Sequence, residues 1–197
     1  MDTPTIITRR LSLTRLVPAD ARAFFEYRSD PDVCTFQHFE PGTLDEAMSF
    51  IDELQATTFD QPGAWFQLGI HLRESGLLIG DLGIYFVADD GRQAEIGFTI
   101  APKHQGRGFG TEAVLGVLGY LLGPGRKHRV IASVDPRNKP SIALLRRVGM
   151  RQEAHFRQSL WFKGDWADDL VFAILESEWN DRHVEDPPAG GLRRDRD

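Results

Sequence analysis

Apolar and polar positions change period several times along the chain, and each change marks an element. Residues 65–72 alternate, with Phe66, Leu68, Ile70 and Leu72 set against Trp65, Gln67, Gly69 and His71, the pattern of a half-buried strand. Residues 77–87 are almost continuously apolar, interrupted by Gly80 and Gly83, and predict a second strand. Residues 94–100 predict a third. Glu74-Ser75-Gly76 and Asp89-Asp90-Gly91 are turn signals between them, so the three form an antiparallel meander. Before the meander, residues 5–16 place Ile7, Leu11, Leu13 and Leu16 among Thr and Arg. That pattern predicts one opening strand, with Arg9-Arg10-Leu11 as a polar edge and register shift.

Helical spacing fills the intervals. Pro18-Ala19-Asp20 starts a helix that turns Ala21, Phe24, Phe25 and Tyr27 inward, and Ser29-Asp30-Pro31 stops it near Arg28. Residues 33–42 are aromatic and irregular, with Phe36, His38 and Phe39. Thr43 with Glu46 forms a capping box ahead of Ala47, Phe50, Ile51 and Leu54. Residues 113–122 predict a helix whose apolar face continues Phe109 through Ala113, Val114, Val117, Leu118 and Leu121. Gly116 and Gly119 inside it cost about 1 kcal/mol each, so close packing must require them. Residues 130–134 form a short strand, and a helix follows from Asn138 to Gly149 with Ile142, Leu145 and Val148 buried. Residues 150–161 and 166–175 are two final strands joined by Lys163-Gly164-Asp165. Residues 1–180 therefore read as a single domain, and residues 181–197 as a polar tail without fixed structure.

Composition narrows the function. A chain of 197 residues with a net charge of −6 lacks the basic surface of a nucleic-acid binder and suits a cationic or amine-bearing partner. The lone Cys34 excludes an internal disulfide and reads as a small buried hydrophobe. No signal pattern or long apolar run is present, and the expected location is cytoplasmic, away from membranes. No two histidines have ligand spacing, so no metal is expected. A homodimer is left open.

The chemistry concentrates between the third meander strand and the following helix. Gly106, Gly108 and Gly110 are interleaved with Gln105 and Arg107 there. Glycines at a strand-to-helix turn bring the backbone close to a ligand, and free amides at a helix start bind anions. A nucleoside-triphosphate loop would need Gly-Lys followed by Ser or Thr, which this loop lacks. A dinucleotide fold would place an acidic residue about 20 positions on. Here residues 126–129 are basic instead. What remains is a pyrophosphate carrier held mainly by backbone, or an ordinary glycine-rich turn.

The run Gln105-Gly-Arg-Gly108-Phe-Gly110-Thr111 resembles the acyl-CoA loop of the GNAT superfamily of N-acyltransferases. Two further stretches extend the resemblance: Asn138-Lys-Pro-Ser141 leading to Gly149-Met150, and Arg157 with Gly164-Asp-Trp166-Ala-Asp168. Together they are similar to the RimJ/RimL group, which acetylates protein N-terminal amines and shares its pattern with antibiotic acetyltransferases. Phe172 departs from a Tyr common in that group. The resemblance implies an α/β (α+β) GNAT fold, a mixed, mostly antiparallel twisted sheet of about seven strands with about four helices, splayed between strands 4 and 5. It implies acetyl-CoA as co-substrate and an amine acceptor, either a protein N-terminus or a small molecule.

For the site, the resemblance implies that the amides of Gln105, Gly106, Arg107, Gly108, Phe109, Gly110 and Thr111 bind the diphosphate. It implies that the backbone of Phe98, Thr99 and Ile100 pairs with pantetheine, an amide near Ile100 polarising the thioester carbonyl. Asn138 and Ser141 would flank that arm. Glu95 is the candidate base and Ser141 the candidate acid for the leaving thiolate; each is balanced by a plain alternative, a strand carboxylate and a first-turn helix residue. Asn138 is first an N-cap. Lys103 and His104 read as solvated surface. His38, His71 and His155 are alternative bases. Phe36, Phe39, Trp65, Trp161 and Trp166 are candidates to line the acceptor pocket, and Asp165, Asp168 and Asp169 to attract a cation. Outside enzymes, an acyl-CoA sensor or an interaction domain with a vestigial loop would share these features.

Overall fold

The computed structural model describes residues 3–88 and 91–185, with side chains through Asp181. Its strands are β1 (Ile6–Ile7), β2 (Leu11–Arg15), β3 (Trp65–Leu72), β4 (Leu78–Phe86), β5 (Gln93–Ile100), β6 (Arg129–Val134), β7 (Arg151–Phe162) and β8 (Asp165–Leu175). Its α-helices are α1 (Ala21–Arg28), α2 (Pro31–Cys34), α3 (Leu44–Leu54), α4 (Phe109–Leu122), α5 (Lys139–Arg147) and α6 (Glu176–Glu185). One sheet runs β1-β2-β3-β4-β5-β6-β8-β7. Every neighbouring pair is antiparallel except β5 and β6.

The helices cover both faces. Asp81 meets Tyr27 and Arg28 of α1, while its neighbour Leu82 joins the core cluster of α4. Successive strand residues point to opposite faces, so α1 and α4 lie on opposite sides of the sheet. Ile142 and Leu145 of α5 and Trp179 of α6 share the α4 cluster, and α1 and α3 form a second one around Phe24 and Ile51. Phe172 is fully buried in the first cluster, so the departure from Tyr costs no packing. The α4 glycines have the expected reason. A Cβ on Gly116 would stand 2.8 Å from Thr8 Cγ2, and one on Gly119 3.4 Å from Trp179 Cζ2.

Several expectations are corrected. The opening strand is two, so the sheet has eight strands. Thr8 closes a tight turn: its amide donates to Leu11 O at 2.9 Å, and Leu11 N donates back to Thr8 Oγ1 at 3.1 Å. The start of the irregular stretch overlaps α2, which is capped by Asp30, whose side chain accepts from Asp32 N at 2.9 Å. Helix α4 begins at Phe109 rather than Ala113, since Gly108 can adopt the left-handed conformation, φ 78°, that ends the loop. Glu176–Glu185 is helical, overlapping the start of the expected tail. Residues 186–197 of that tail, and Asp89 and Asp90 of the expected turn, lie outside the described residues. In the α3 capping box, Glu46 N donates to Thr43 Oγ1 at 3.2 Å, but Glu46 Oε2 accepts from Gly42 N at 2.7 Å, one residue early. Among the described residues, no helix is long and apolar enough to cross a membrane.

Candidate active site

The sheet opens where β5 and β6 part. Their parallel register runs from Gln93↔Arg129 to Glu95↔Ile131 and stops, although both strands continue. Ala101 N donates to Ile79 O on the β4 side at 2.8 Å. Main-chain groups alternate along a strand, so Ile96, Phe98 and Ile100 turn theirs toward the gap. Gly97 leaves the mouth clear, because a Cβ there would meet nothing within 4 Å. A cavity of about 490 Å³ fills the opening, lined among others by Glu95, Gly97, Phe98, Ser133, Asn138 and Ser141.

The glycine loop lies at the end of β5. Gly106 and Gly108 have φ of 70° and 78°, and a Cβ on Gly106 would meet nothing within 4 Å. Among the described residues, the amides of Gly106, Arg107, Gly108, Phe109, Gly110 and Thr111 find no acceptor in the protein. The first amide of α4 that does is Glu112 N, bonded to Gly108 O at 3.0 Å. A run of unpaired N–H groups at the positive end of a 14-residue helix is an anion cradle. These residues fit the diphosphate of acetyl-CoA, with the open strand gap leading away from them.

Two expected ligands are placed differently. Gln105 N donates to Pro102 O at 3.2 Å, and its Nε2 to Ile100 O at 2.8 Å, so Gln105 ties the loop to β5 and the free amides start at Gly106. Thr99 turns its main chain toward β4 and its side chain is buried, leaving Phe98 and Ile100 to face the gap. Asn138 is an N-cap: its Oδ1 accepts from Ser141 N at 3.2 Å. That bond fixes the first turn of α5 with Ser141 at the cavity wall.

Glu95 is half-buried in the cavity, and burial, then the nearby Asp169 carboxylate, raise its carboxyl above the ordinary value. Ser133 Oγ donates to Asp169 Oδ1 at 2.5 Å and steadies that neighbour. Of the alternative bases, only His38 reaches the cavity, where it meets Phe162 edge-on at 5.0 Å. His71 bonds Asp20 at 3.0 Å and His155 bonds Asp168 at 2.7 Å, both outside it. His104 packs near Phe109, centroids 6.3 Å apart, and its Nδ1 is buried, so it is less solvated than expected.

A second hollow of about 630 Å³ adjoins the first and shares Asp135, Phe162, Ala167 and Asp168 with it. Phe36, Phe39 and Trp65 line the first, and Trp166 the second; Trp161 is exposed and lines neither. Asp169 lines the first, Asp165 the second, and Asp168 both. Cys34 is buried, donates Sγ to Arg28 O at 2.8 Å, and burial pushes its thiol up, the opposite of an activated nucleophile. Phe162, Arg28 and Gln67 were not expected at the cavity, nor was buried Asp81, which holds Arg28 and Gln67 from behind it. Asp81 carried a readable signal, as the one charged residue in the apolar run 77–87. A carboxylate inside such a strand requires a buried partner.

Residues 10–151 match the acetyltransferase (GNAT) domain. The chain belongs to the GNAT acetyltransferase family. It is similar to the uncharacterized N-acetyltransferase YnaD of Bacillus subtilis (strain 168), 30% identical over 89% of this chain and 99% of the relative. It is also similar to the ribosomal protein uS5-alanine N-acetyltransferase of Escherichia coli (strain K12), 27% identical over 72% of this chain and 71% of the relative. The spermidine N-acetyltransferase of Vibrio cholerae, solved with CoA and spermine, shares the fold with a TM-score of 0.75 and 21% identity over 88% of this chain and 99% of that one. The expected resemblance to the RimJ/RimL group thus holds, and this GNAT protein is an N-acetyltransferase acting on an amine. Its family uses acetyl-CoA.

Proposed function

We propose that residues 1–180 act as one cytoplasmic acetyltransferase domain. It binds acetyl-CoA along the β5–β6 gap and passes the acetyl group directly to a primary amine in a ternary complex. The observation that carries this reading is the run of unpaired amides from Gly106 to Thr111, set at the end of a strand gap whose cavity also holds Glu95 and Ser141. When bound, acetyl-CoA supplies an activated acyl carbon. Gly106 to Thr111 hold its diphosphate, and the Phe98 and Ile100 main chain holds the pantetheine arm. The Ile100 carbonyl is taken by Gln105, which leaves its N–H for the acyl oxygen.

The acceptor must lose a proton before it attacks. A free α-amine has a pKa of about 7.7–8.0, so a base need act only near neutrality. Glu95, with its raised carboxyl, suits that task, directly or through one water. Ser141 donates to the departing thiolate. Cys34 is the buried last residue of α2, so no acyl-enzyme intermediate is assigned to it.

The acceptor is a peptide N-terminus or a small amine, entering from the side of Phe36, Phe39 and Phe162. Asp168 and Asp169 on that side favour a cation. Thiol release from acetyl-CoA, measured across a panel of N-terminal peptides and small amines, tests this reading. Turnover with at least one amine, and none without acceptor, is expected. CoA binding with no release under any acceptor would favour a sensor instead.

A further inference from the structure

The loop amides do not set their own direction. Arg10, in the turn between β1 and β2, reaches the loop from outside it. Its Nη1 donates to the Arg107 carbonyl at 3.1 Å. Its Nε donates to Glu112 Oε2 at 2.6 Å, and its amide donates to Glu112 Oε1 at 2.6 Å. Thr8 Oγ1 donates to the same Oε1 at 2.7 Å. The guanidinium lies over the Phe109 ring, 4.3 Å from its centroid, and the Arg107 guanidinium lies 5.1 Å from it. Burial would raise the Glu112 carboxyl, but the bonds from Thr8 and Arg10 hold it below its ordinary value, so the anchor stays charged at neutral pH.

The peptide between Arg107 and Gly108 is trans and planar. Its carbonyl and N–H therefore point in opposite directions. With the carbonyl drawn toward Arg10, the Gly108 N–H is driven away from Arg10 and into the cradle. A free carbonyl could instead swing inward, where its negative end would repel a phosphate. The left-handed φ of Gly108, 78°, makes such a swing cheap in the absence of a tie.

We infer that Arg10, clamped by Glu112 and Phe109, is the positioning residue of the diphosphate cradle, holding the Arg107 carbonyl out so that the Gly108 amide faces the ligand. This rests on the acetyl-CoA reading above. Arg10 touches no reacting atom. It acts on the donor's diphosphate and leaves the pantetheine arm and the acceptor alone. An arginine is needed because one fork spans the Glu112 carboxylate and a backbone carbonyl together, which a lysine cannot do.

The test compares the parent with Arg10→Ala, Arg10→Lys and Glu112→Gln in the full chain. Dissociation constants are measured for CoA, for pantetheine lacking the diphosphate, and for inorganic pyrophosphate. The Gly108 amide resonance is followed in the ligand-free proteins. Arg10→Ala should weaken CoA and pyrophosphate about tenfold or more, the scale of one charge-assisted hydrogen bond, and leave pantetheine unchanged. Arg10→Lys should fall between parent and Ala, Glu112→Gln should weaken CoA by less, and the Gly108 resonance should move in all three. Arg10→Lys equal to the parent would reduce the role of Arg10 to its charge and overturn the inference. So would equal loss of CoA and pantetheine, or an unmoved Gly108 resonance. Should Arg10→Ala not fold, Arg10→Lys and Glu112→Gln decide the matter by the same criteria. A parent that fails to bind CoA would instead sink the acetyl-CoA reading itself.

Discussion

Arg28 at the end of α1 grips Asp81 on β4 through two bonds, Nε to Oδ2 at 3.0 Å and Nη2 to Oδ1 at 2.5 Å, with both residues buried. Tyr27 Oη and Gln67 Nε2 complete the carboxylate, each at 2.5 Å. Burial first, then Asp81, raise the Tyr27 phenol well above its ordinary value, which keeps it a donor. Arg28 Nη1 also donates to Gln37 Oε1 at 2.8 Å, and Arg28, Gln37 and Gln67 all face the cavity. The pair therefore fixes α1 against the cavity. Asp81→Ala would strand a buried guanidinium and should destabilise the protein by about 3–5 kcal/mol, read from urea unfolding at pH 7. A loss below about 1 kcal/mol would show that α1 is held by apolar packing alone.

Glu95 carries opposite demands for activity and stability. Glu95→Gln should lower kcat by about 10²-fold and move the acidic limb of the pH–rate profile upward. The stability effect has the other sign. The Glu95 carboxyl is raised by burial, so between the ordinary Glu value, about 4.3, and its folded value the native protein keeps a proton that the unfolded chain has lost. Stability falls as pH rises through that window. Glu95→Gln has no such fall and should be at least as stable as the parent at pH 7. A pH–rate profile superimposable on the parent's would remove Glu95 as the base.

Ser141 has its amide, not its hydroxyl, bonded to Asn138. Ser141→Ala should therefore leave α5 intact and act on chemistry alone. It should reduce kcat by about 10²-fold with thermal stability unchanged. A kcat within about twofold of the parent would leave Ser141 as a wall residue with no role in the leaving step.

Gly97 gives the sharpest separation of fold from function. Its Cβ position is open and its φ is not left-handed, so Gly97→Val should fold normally and gain up to about 1 kcal/mol from reduced unfolded-state freedom. The same side chain would project into the cavity beside the strand gap. Acetyl-CoA affinity should drop at least tenfold, measured by equilibrium binding. Unchanged affinity would move the pantetheine arm elsewhere.

How much of this was readable follows the physics of each signal. The meander, α4 and α5 were legible from apolar runs, alternation and helical spacing, and the last hairpin from its Lys163-Gly164-Asp165 turn. The glycine loop was legible because Gly106 and Gly108 take a left-handed φ that glycine readily supplies. The β1–β2 turn was not, since Thr8 and Arg10 also bind Glu112, about a hundred residues away. Helix α6 is mostly polar and anchored by Trp179 against Gly119, a contact invisible to local pattern. Gln105 differs, since its side chain returns to the Ile100 carbonyl only five residues back. Short-range spacing marked the elements around the cavity; long-range polar contacts such as Arg10 with Glu112 were not readable from it.

The most direct measurement is a crystal structure of the protein soaked with CoA. The account predicts diphosphate oxygens within about 2.7–3.2 Å of amides between Gly106 and Thr111, with the pantetheine arm running between β5 and β6. A diphosphate bound to side chains elsewhere, with those amides facing only water, would contradict it.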